Sequence, residues 1–525
     1  MNLVTLLEDS AREYPDKTAV VCGDTRLTFR ELNETACRVA NGLVAAGIQA
    51  GDKVALTCAN SSYFPMAYYG ILKMGGVVVP LNVLLKSREI AYHLNDSDAA
   101  AYLCFEGTGA FPSAEESWSA FGKAPSCRRF WLKRRDEDPG PPISGAGPWE
   151  DLIEDQPTVF DTVQTQADDT SVIIYTSGTT GRPKGAELTH SNMLMNAMVN
   201  CDIKKATAED VTLIVLPLYH SFGQTCQMNT TLVAGGTIVL VPRFDPAVIL
   251  QLFQDEGVTL FAGVPTMYWQ LLNFPEADQF DIEKIASTLR ITDSGGAPLP
   301  VELMRQCEKK FGIKILEGYG LSETSPLASK NVPHKLRKPG SIGQPVWGVY
   351  ARVVDEHMVD VPVGETGEIV IRGHNVMKGY YNRPEETAEA FRGGWLHTGD
   401  LGKYDDDGYL YVVGRLKDMI IRGGRNVYPR EIEEALMVHP EISLAAVIGV
   451  PDARRGEEIK AFVVLEPGST LDPETIIAWA KTDLAAYKYP RLVEVVDELP
   501  LGPTGKILKT ELRKTEAERR AAAEG

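Results

Sequence analysis

The first hundred residues alternate short apolar runs with longer segments that carry apolar side chains every three or four positions. The stretch "TFRE", Thr28 to Glu31, has the spacing of a helix-capping box. The residues that follow place an apolar face along a helix: Leu32, Ala36, Val39 and Leu43. Next come a short buried strand in "DKVALTC", a helix over residues 62–74 and another strand in "GGVVVP". Strands that alternate with helices predict parallel sheets flanked by helices.

The same alternation continues along most of the chain. "TSVIIY", Thr170 to Tyr175, predicts a fully buried strand, and helices and strands alternate to about residue 330. The segment from about Gly107 to Gly147 is richer in proline, glycine and charge, which is typical of a variable surface excursion. A more β-rich stretch then follows, in "ARVVDE", "GEIVIRG" and "GYLYVVGR".

The pattern changes after Arg415. A hairpin is predicted in "DMIIRGGRNVYP", followed by a helix, two strands and a second helix in "DPETIIAWAKTDLAAY". These elements form an α+β unit of roughly a hundred residues, an ordinary domain size. With the boundary placed in Gly414 to Asp418, we predict two domains, 1–416 and 417–525. The fold class is therefore α/β: a large N-terminal domain of helix-flanked parallel sheets with a β-rich subdomain, and a small, mobile α+β C-terminal domain.

The composition narrows the range of partners. The chain has 525 residues, and Asp plus Glu exceed Lys plus Arg by 71 − 53 = 18. Such an acidic balance argues against nucleic-acid binding and against anionic membranes, so any phosphate ligand needs a local cationic site. The eight cysteines are scattered without a C-x-x-C pair, which indicates buried, reduced thiols. No apolar run approaches the ~20 residues of a membrane span, and the N-terminal stretch lacks a basic start, so we expect a cytoplasmic protein.

The stretch "YTSGTTGRPKG", Tyr175 to Gly185, is the strongest chemical signal. Glycines let backbone N–H groups point into one concavity, hydroxyls add donors, and Lys184 adds charge for phosphate oxygens. A flexible surface linker would not follow a buried strand so directly. The spacing also differs from a Walker A loop, since Arg182 and Pro183 separate Gly181 from Lys184. The stretch predicts a phosphate-binding loop of another class.

Other stretches are weaker signals when each is taken alone. Tyr319, between two glycines in "EGYGLSET", presents a ring that can stack on a base, although a tyrosine in a turn is more often part of a core. Glu323 follows a serine and suits Mg²⁺ and phosphate. Asp400, in "GWLHTGDLG", either binds a ribose together with Arg415 or caps its own turn. Lys506 lies in the Pro/Gly-rich "LGPTGKILK", where a lysine is usually solvated.

Taken together, the stretches resemble the adenylate-forming superfamily, which comprises acyl-CoA synthetases, peptide-synthetase adenylation domains and luciferases. The resemblance covers nearly the whole chain and rests on six motifs in the family's order: "YTSGTTGRPKG", "GYGLSET", "GEIVIRGHNVMKGYYNRPEET", "GWLHTGDLG", "GRLKDMIIRGGRNVYPREIE" and "PTGKILK". It implies an enzyme that joins a carboxylate to the α-phosphate of ATP, releasing pyrophosphate. A thiol such as CoA then displaces AMP to give a thioester.

The resemblance also implies roles for residues of these motifs. Lys184 and the loop hold the leaving pyrophosphate, Glu323 binds Mg²⁺, and Lys506 contacts the carboxylate and the α-phosphate. Tyr319 stacks on adenine, and Asp400 and Arg415 hold the ribose. The implied nucleotide-binding set is Thr176, Ser177, Gly178, Thr179, Thr180, Gly181, Lys184, Gly295, Gly296, Ala297, Glu317, Gly318, Tyr319, Gly320, Ser322, Asp400 and Arg415.

Two residues of the last motifs are implied to act in the thiol step. Lys417 matches the family's hinge, about which the small domain rotates and withdraws Lys506; many members carry Asp there. Gly424 is implied to line the pantetheine passage after that rotation, because only glycine lets a backbone and a narrow thiol arm approach closely. A turn glycine with positive φ is the alternative interpretation.

The acid and the thiol are less defined. His220, in "PLYHSFGQ", stands where amino-acid-activating members carry an aspartate for the substrate ammonium. We therefore expect His220 to border the pocket of an apolar acid, with a medium- or long-chain fatty acid favoured and Phe222 and Val264 as further walls; a structural core histidine is the alternative. No carrier domain is fused to the chain, which favours free CoA. An aryl or coumarate-type acid, a loader of a separate carrier protein, a luciferase-like oxygenase, a nucleotide-binding pseudo-enzyme and a homodimer are left open.

Overall fold

The fold is described by a computed structural model that covers residues 1–108, 111–135, 140, 142–176, 182–502 and 505–524. Two large sheets make up most of the N-terminal part. The first has eight strands, in the order Gly379–Tyr380, Lys184–Thr189, Thr170–Thr176, Val77–Leu81, Lys53–Thr57, Ala99–Phe105, Arg129–Lys133 and Gly147–Pro148. The strands from Thr170–Thr176 onward pair in parallel, and the first two are added antiparallel.

The second large sheet has nine strands. Their order is Gln344–Pro345, Leu327–Lys330, Ile315–Gly320, Ile291–Ser294, Leu260–Gly263, Val211–Ile214, Thr237–Leu240, Thr18–Cys22 and Thr25–Thr28. The six central strands are parallel, and the outer three pair antiparallel. The predicted α/β class is therefore confirmed. A two-stranded pair, Gly107–Thr108 with Phe111–Pro112, lies apart from both sheets.

Helices connect and cover these strands. They are Thr5–Glu13, Phe29–Ala45, Tyr63–Lys73, Ser87–Asp96, Ser113–Phe121, Trp149–Ile153, His190–Lys204, Thr230–Val233, Pro246–Asp255, Pro265–Leu272, Ile282–Thr288, Val301–Phe311 and Pro384–Ala390, with a π-helix at Phe222–Asn229 and short 3₁₀ turns at Ala277–Gln279, Ser322–Thr324 and Arg392–Gly394. The predicted capping box is present, because Thr28 and Glu31 cap the helix Phe29–Ala45 reciprocally. One apolar core joins side chains of both large sheets through the helices between them.

The β-rich stretch forms a four-stranded antiparallel sheet, Val349–Val354, Gly367–Gly373, Leu396–Tyr404 and Leu410–Arg415. A 3₁₀ turn, Leu416–Asp418, follows it and leads into the last hundred residues. No helix among the described residues is long and apolar enough to cross a membrane. All eight cysteines are free thiols, and six of them are buried.

The C-terminal unit has its own sheet and its own apolar core. Its strands are Ile420–Arg422, Arg425–Val427, Ile442–Asp452, Gly456–Leu465 and Leu492–Val495. Its helices are Pro429–Met437, Pro473–Asp483 and Lys509–Glu524. The hairpin predicted in "DMIIRGGRNVYP" is present. The domain boundary itself stays a prediction.

The interpretation of residues 107–147 as a surface excursion is wrong for its middle part. Strand Arg129–Lys133 belongs to the eight-stranded sheet, and helix Ser113–Phe121 packs against it. The cause is aromatic packing: the Phe130 ring lies 5.3 Å from the Trp118 ring and 5.4 Å from the Phe121 ring. These rings bury enough apolar surface to outweigh the polar composition around them.

Candidate active site

The phosphate-loop prediction falls on a hairpin. Strands Thr170–Thr176 and Lys184–Thr189 pair antiparallel, with Thr176 opposite Lys184. The five residues between them that were expected to bind phosphate lie outside the described residues: Ser177, Gly178, Thr179, Thr180 and Gly181. Pairing of the two strand ends nevertheless fixes the base of the loop at the edge of a buried sheet.

Three predicted phosphate-site residues meet at this base. The Thr176 hydroxyl donates to Glu323 Oε1 at 3.3 Å, and the Tyr380 hydroxyl donates to the same oxygen at 3.0 Å. Lys184 Nζ lies 4.6 Å from the centre of the Tyr380 ring. Tyr380 thus ties Lys184 to Glu323. The site combines a cation, a hydroxyl and a carboxylate that come from motifs about 140 to 150 residues apart in the sequence.

Glu323 fits the expected magnesium ion. Both of these hydrogen bonds use Oε1, and the carboxylate stands beside the hydroxyl and the cation where phosphate is expected. Mg²⁺ favours this kind of site, with one or two carboxylates and the phosphates of the substrate as ligands. When bound, the ion would neutralise negative charge on the phosphate oxygens, with Glu323 as its protein ligand.

A second cluster matches the expected ribose site. Asp400 and Arg415 face each other across strands Leu396–Tyr404 and Leu410–Arg415, and Arg415 Nε lies 2.9 Å from Asp400 Oδ1. The Tyr319 hydroxyl donates to Asp400 Oδ2 at 2.7 Å. The charge of Asp400 raises the pKa of Arg415, while burial, and then Asp400, raise the pKa of Tyr319. All three side chains are thus held in one hydrogen-bonded group, with the Arg415 side chain half exposed to solvent.

The expected adenine-pocket backbone follows the strand Ile291–Ser294. Gly296 has φ +79°, a left-handed conformation that favours glycine. Glu317 lies behind this turn: its carboxylate accepts from the backbone N–H of Leu299 and of Gly340, at 3.2 Å each. Burial raises the pKa of Glu317 to about 7. The Glu317 side chain therefore stabilises the backbone around Leu299 and Gly340. A direct contact with the nucleotide stays a prediction.

The remaining residues of this set occupy the adjacent strand and turns. Gly318 and Gly320 belong to strand Ile315–Gly320, and a Cβ on Gly320 would come within 1.7 Å of the Pro326 carbonyl oxygen. Ser322 opens the turn Ser322–Thr324, and Ala297 directly follows Gly296. Their side-chain or backbone contacts with a nucleotide stay predictions.

Lys506 is brought from the C-terminal unit to this pocket. A Cβ on Gly296 would lie 3.0 Å from Lys506 Cε. The Thr266 hydroxyl donates to the Gly505 carbonyl at 2.5 Å and so holds the loop that carries the lysine. Lys506 is exposed to solvent on one side. Desolvation by the groups around it, and then the charge of Arg415, lower the pKa of its ammonium group. The lysine thus stands between the two predicted substrate sites.

His220 lies close enough for the Lys506 charge to affect it. Burial, and then Lys506, lower the pKa of His220 to about 4, so the imidazole is neutral near pH 7. His220 Nε2 is buried and has no hydrogen-bond partner among the described residues. A buried polar atom left unpaired beside a cation is the expected feature of a substrate-facing group. The two further predicted walls lie nearby, with Phe222 against Gly295 and Val264 against Gly505.

Comparison with known proteins agrees with the assignment of these residues to a nucleotide-binding enzyme. The AMP-binding enzyme family model matches residues 7–381, and the model for its C-terminal domain matches residues 431–506. The chain belongs to the AMP-binding enzyme family. The predicted membership of the adenylate-forming superfamily is confirmed, as is the prediction of an AMP-forming ligase.

Relatives of this AMP-binding enzyme differ in their acids. It is 38% identical to a long-chain-fatty-acid–CoA ligase of Bacillus subtilis, over 98% of this chain and 95% of that protein. It is 40% identical to a feruloyl-CoA synthase of Amycolatopsis sp, over 96% of this chain and 97% of that protein. The crystal structure of the anthranilate CoA ligase AuaEII in complex with anthranoyl-AMP superimposes with a TM-score of 0.90, at 31% identity, covering 98% of this chain and 97% of that chain.

Two predicted residues lie away from the site of this AMP-binding enzyme. Gly424 is exposed in the turn of the hairpin Ile420–Arg422/Arg425–Val427, with φ +75° and no atom within 4 Å of a Cβ placed there. Lys417 is exposed in the turn Leu416–Asp418. The structure has Lys506 at the pocket, whereas both residues were expected to act after the small domain rotates. Their roles stay predictions.

Sequence reasoning missed Tyr380, Thr266 and the partners of Glu317. Tyr380 lies within the motif "GEIVIRGHNVMKGYYNRPEET", so its position in a family motif was the available signal. Thr266 has no such signal, because its contact with Gly505 joins residues 239 positions apart.

Proposed function

We propose that the protein is an ATP-dependent acid–CoA ligase that activates an acid with an apolar body through an acyl-adenylate. The observation that carries the proposal is the position of Lys506. Its Nζ lies 3.5 Å from a Cβ built on Gly296. Its charge contributes to the lowered pKa of His220, and the charges of Arg415 and Asp400 act on its own pKa. A cation there can neutralise charge on the reacting carboxylate and on the α-phosphate together.

In the first half-reaction, a carboxylate oxygen attacks the α-phosphorus, and the bond to pyrophosphate breaks. Asp400 and Arg415 hold the ribose hydroxyls, and Thr176 and Lys184 bind the outgoing phosphates. Lys506 stabilises the negative charge on the equatorial α-phosphate oxygens in the transition state. A preorganised donor of this kind is commonly worth roughly 3–4 kcal/mol of barrier. His220 stays neutral and adds no second cation beside Lys506.

In the second half-reaction, the CoA thiolate attacks the acyl carbon, and the bond to AMP breaks. Lys506 lies at the pocket in this arrangement, and we propose that residues 417–525 rotate about Lys417 between the two steps and withdraw it. Leu416 and Lys417 are exposed in the turn Leu416–Asp418, which supports this assignment. Asp418 pairs with Arg513 at 2.8 Å, and both residues belong to the segment proposed to rotate.

The acid and the acceptor are argued from the pocket and from the relatives. Phe222 and Val264 supply apolar surface beside Gly295 and Gly505, and His220 offers no fixed anion for an amino-acid ammonium. A long-chain fatty acid is one candidate, as for the Bacillus subtilis relative. An aryl acid is the second candidate, favoured by the relatives named for feruloyl-CoA and anthranilate. CoA is proposed as the acceptor because these relatives are named as CoA ligases and synthases.

The test is a screen of pyrophosphate release and AMP formation over fatty, aryl and amino acids, with and without CoA. The proposal expects apolar acids to give AMP and acyl-CoA when CoA is present. Strong preference for an amino acid, or thioester formed only on an added carrier protein, would contradict it. Omission of each substrate in turn serves as the control.

A further inference from the structure

A buried cluster of charges lies behind the proposed acid pocket. Asp293 stands between two lysines: Lys330 Nζ lies 2.8 Å from its carboxylate, and Lys204 Nζ lies 3.2 Å from it. The two lysine side chains are each 3% exposed, and the Asp293 side chain is 6% exposed. Lys204 Nζ also donates to the Cys226 carbonyl at 2.8 Å.

The cluster has more positive than negative charge. Two ammonium groups share one carboxylate, that of Asp293, whose negative charge favours the charged form of Lys330. Burial lowers the pKa of Lys330; for Asp293, burial opposes the charge, but both lysines together lower its pKa. Burying an unpaired charge is costly, so a cluster with one surplus cation is a site for an acceptor-rich or anionic group.

The cluster adjoins the walls of the proposed acid pocket. Asp293 belongs to the strand that leads directly into Gly295. A Cβ on Gly295 would lie 3.1 Å from the Phe222 ring and 3.4 Å from the Gly318 carbonyl oxygen. On its other side Gly318 meets the stem of Lys330, whose Cγ is 3.6 Å from a Cβ built on that glycine. The pocket wall and the charged cluster are thus a single layer of residues apart.

The helix Phe222–Asn229 connects the reaction centre to this cluster. His220 precedes it, and Cys226, whose carbonyl binds Lys204, lies six residues further on. At the α-helical rise of 1.5 Å per residue, six residues correspond to about 9 Å along a helix axis. The helix is a π-helix, a form that occurs frequently at functional sites.

Unpaired polar atoms follow the same path. The Gln224 side chain is 0% exposed, and neither its amide oxygen nor its amide nitrogen has a hydrogen-bond partner among the described residues. The Ser294 hydroxyl, next to Asp293, is 1% exposed and is likewise without one. Buried polar groups are nearly always paired, so these atoms point to a ligand that supplies the missing partners.

We propose that Lys330, Lys204 and Gln224 form a polar subsite at the far end of the acid pocket, which selects an acid that carries an oxygen acceptor on its distal end. The inference rests on the proposed function and makes it narrower. The preferred substrate is an acid with an apolar middle and a distal hydroxyl, phenol or second carboxyl, rather than an unsubstituted fatty acid.

Matched acids test the subsite in the intact enzyme. The pairs are 4-hydroxycinnamate with cinnamate and 8-hydroxyoctanoate with octanoate, measured as kcat/KM for CoA-dependent AMP formation. We expect the oxygenated member of at least one pair to be favoured by roughly ten- to a hundredfold, the effect of losing a hydrogen bond to a charged group. Equal kcat/KM within both pairs would overturn the subsite while leaving the ligase assignment intact. If no acid of the wider screen gives CoA-dependent AMP, the proposed function fails and the subsite fails with it.

Two variants and one control locate the preference. Lys330→Met leaves Asp293 paired with Lys204, so it strands no carboxylate, and it should bring the ratio within a pair to about one. Gln224→Leu should lower the same ratio of kcat/KM values several-fold, and it tests the subsite if Lys330→Met does not fold. The matched control is Lys205→Met, since that lysine is exposed and adjacent to Lys204. In Lys205→Met, both the ratio and the activity on the unsubstituted acid should stay within about threefold of the unchanged enzyme. A preference that survives in both variants would assign the cluster a purely structural role.

Discussion

Trp269 offers the sharpest test of how Lys506 is delivered to the pocket. It belongs to the helix Pro265–Leu272 of the large domain, and its indole N–H donates to Ser443 Oγ of the small domain at 2.8 Å. Its ring packs partly buried against the apolar cores of both parts. We predict that Trp269→Phe weakens the docked arrangement in which Lys506 reaches Gly296.

The expected magnitude follows from the bond that is lost. Phenylalanine keeps most of the packing but removes one neutral hydrogen bond, worth about 0.5–1.5 kcal/mol. A domain that alternates between two positions must keep them near balance, so a loss of about 1 kcal/mol changes the equilibrium constant between them roughly fivefold and lowers the docked fraction from about a half to about a sixth. Adenylation should slow by about two- to sevenfold over the range of the lost bond. Thioester formation from supplied acyl-adenylate should not slow, because it does not need this docked position.

The assay measures the two half-reactions separately: pyrophosphate release from acid and ATP, and acyl-CoA formation from synthetic acyl-adenylate. Trp479→Phe is the matched control, since that indole N–H donates to the Ala435 carbonyl at 3.3 Å within the small domain. It should lower the melting temperature without separating the half-reactions. Equal loss of both half-reactions in Trp269→Phe, or no loss, would refute the reasoning.

Further predictions concern the catalytic lysine, the thiol path and a buried histidine. Lys506→Ala should lower adenylation by roughly 10²–10³ while acyl-CoA still forms from supplied acyl-adenylate; equal loss of both would contradict domain alternation. Gly424→Leu should reduce acyl-CoA formation at least about tenfold relative to Gly423→Leu. The second variant is a control for backbone strain, because both glycines have positive φ in one turn. Equal rates of acyl-CoA formation in the two variants would remove Gly424 from the thiol path. Burial lowers the pKa of His190 to about 4, and its Nδ1 accepts from the Leu3 N–H at 3.0 Å. Its contribution to stability is present above pH ~6.5 and is lost as pH falls through 4, by about 3 kcal/mol. Chemical denaturation across this range should show a flatter profile in His190→Asn, and an unchanged profile would contradict the assignment.

The ribose cluster could be anticipated from sequence because its geometry is local. Asp400 and Arg415 lie on consecutive antiparallel strands, and their fifteen-residue separation leaves them directly opposite each other. Cross-strand neighbours of opposite charge meet without help from the rest of the fold. The base of the phosphate loop is local in the same way, since Thr176 and Lys184 are the paired ends of one hairpin.

Contacts between distant segments could not be read from the pattern. Tyr380 and Thr176 both bond Glu323, yet they are 204 residues apart in the sequence. They come together because strand Gly379–Tyr380 pairs with Lys184–Thr189, which pairs in turn with Thr170–Thr176. The charged cluster of Lys204, Asp293 and Lys330 is a comparable case. Each of these residues alone is an ordinary charged side chain, and its burial is decided by packing that periodicity does not encode.

The Glu317 carboxylate shows what motif reasoning leaves out. Its place next to Gly318 and Tyr319 predicts a nucleotide contact, which stays a prediction, but the motif gives no sign that two backbone N–H groups bind its oxygens. The hydrogen-bonding needs of the neighbouring turn, rather than the motif, decide where the side chain points.

The central claim is that the acid is activated as an adenylate before the thiol reacts. The direct measurement is a rapid-quench experiment with a substrate acid and ATP but no CoA, followed by a chase with CoA. The account predicts enzyme-bound acyl-adenylate and pyrophosphate in amounts that match the enzyme, then conversion of the adenylate to acyl-CoA and AMP on the chase. Formation of ADP and phosphate, or release of pyrophosphate only when CoA is present, would contradict it.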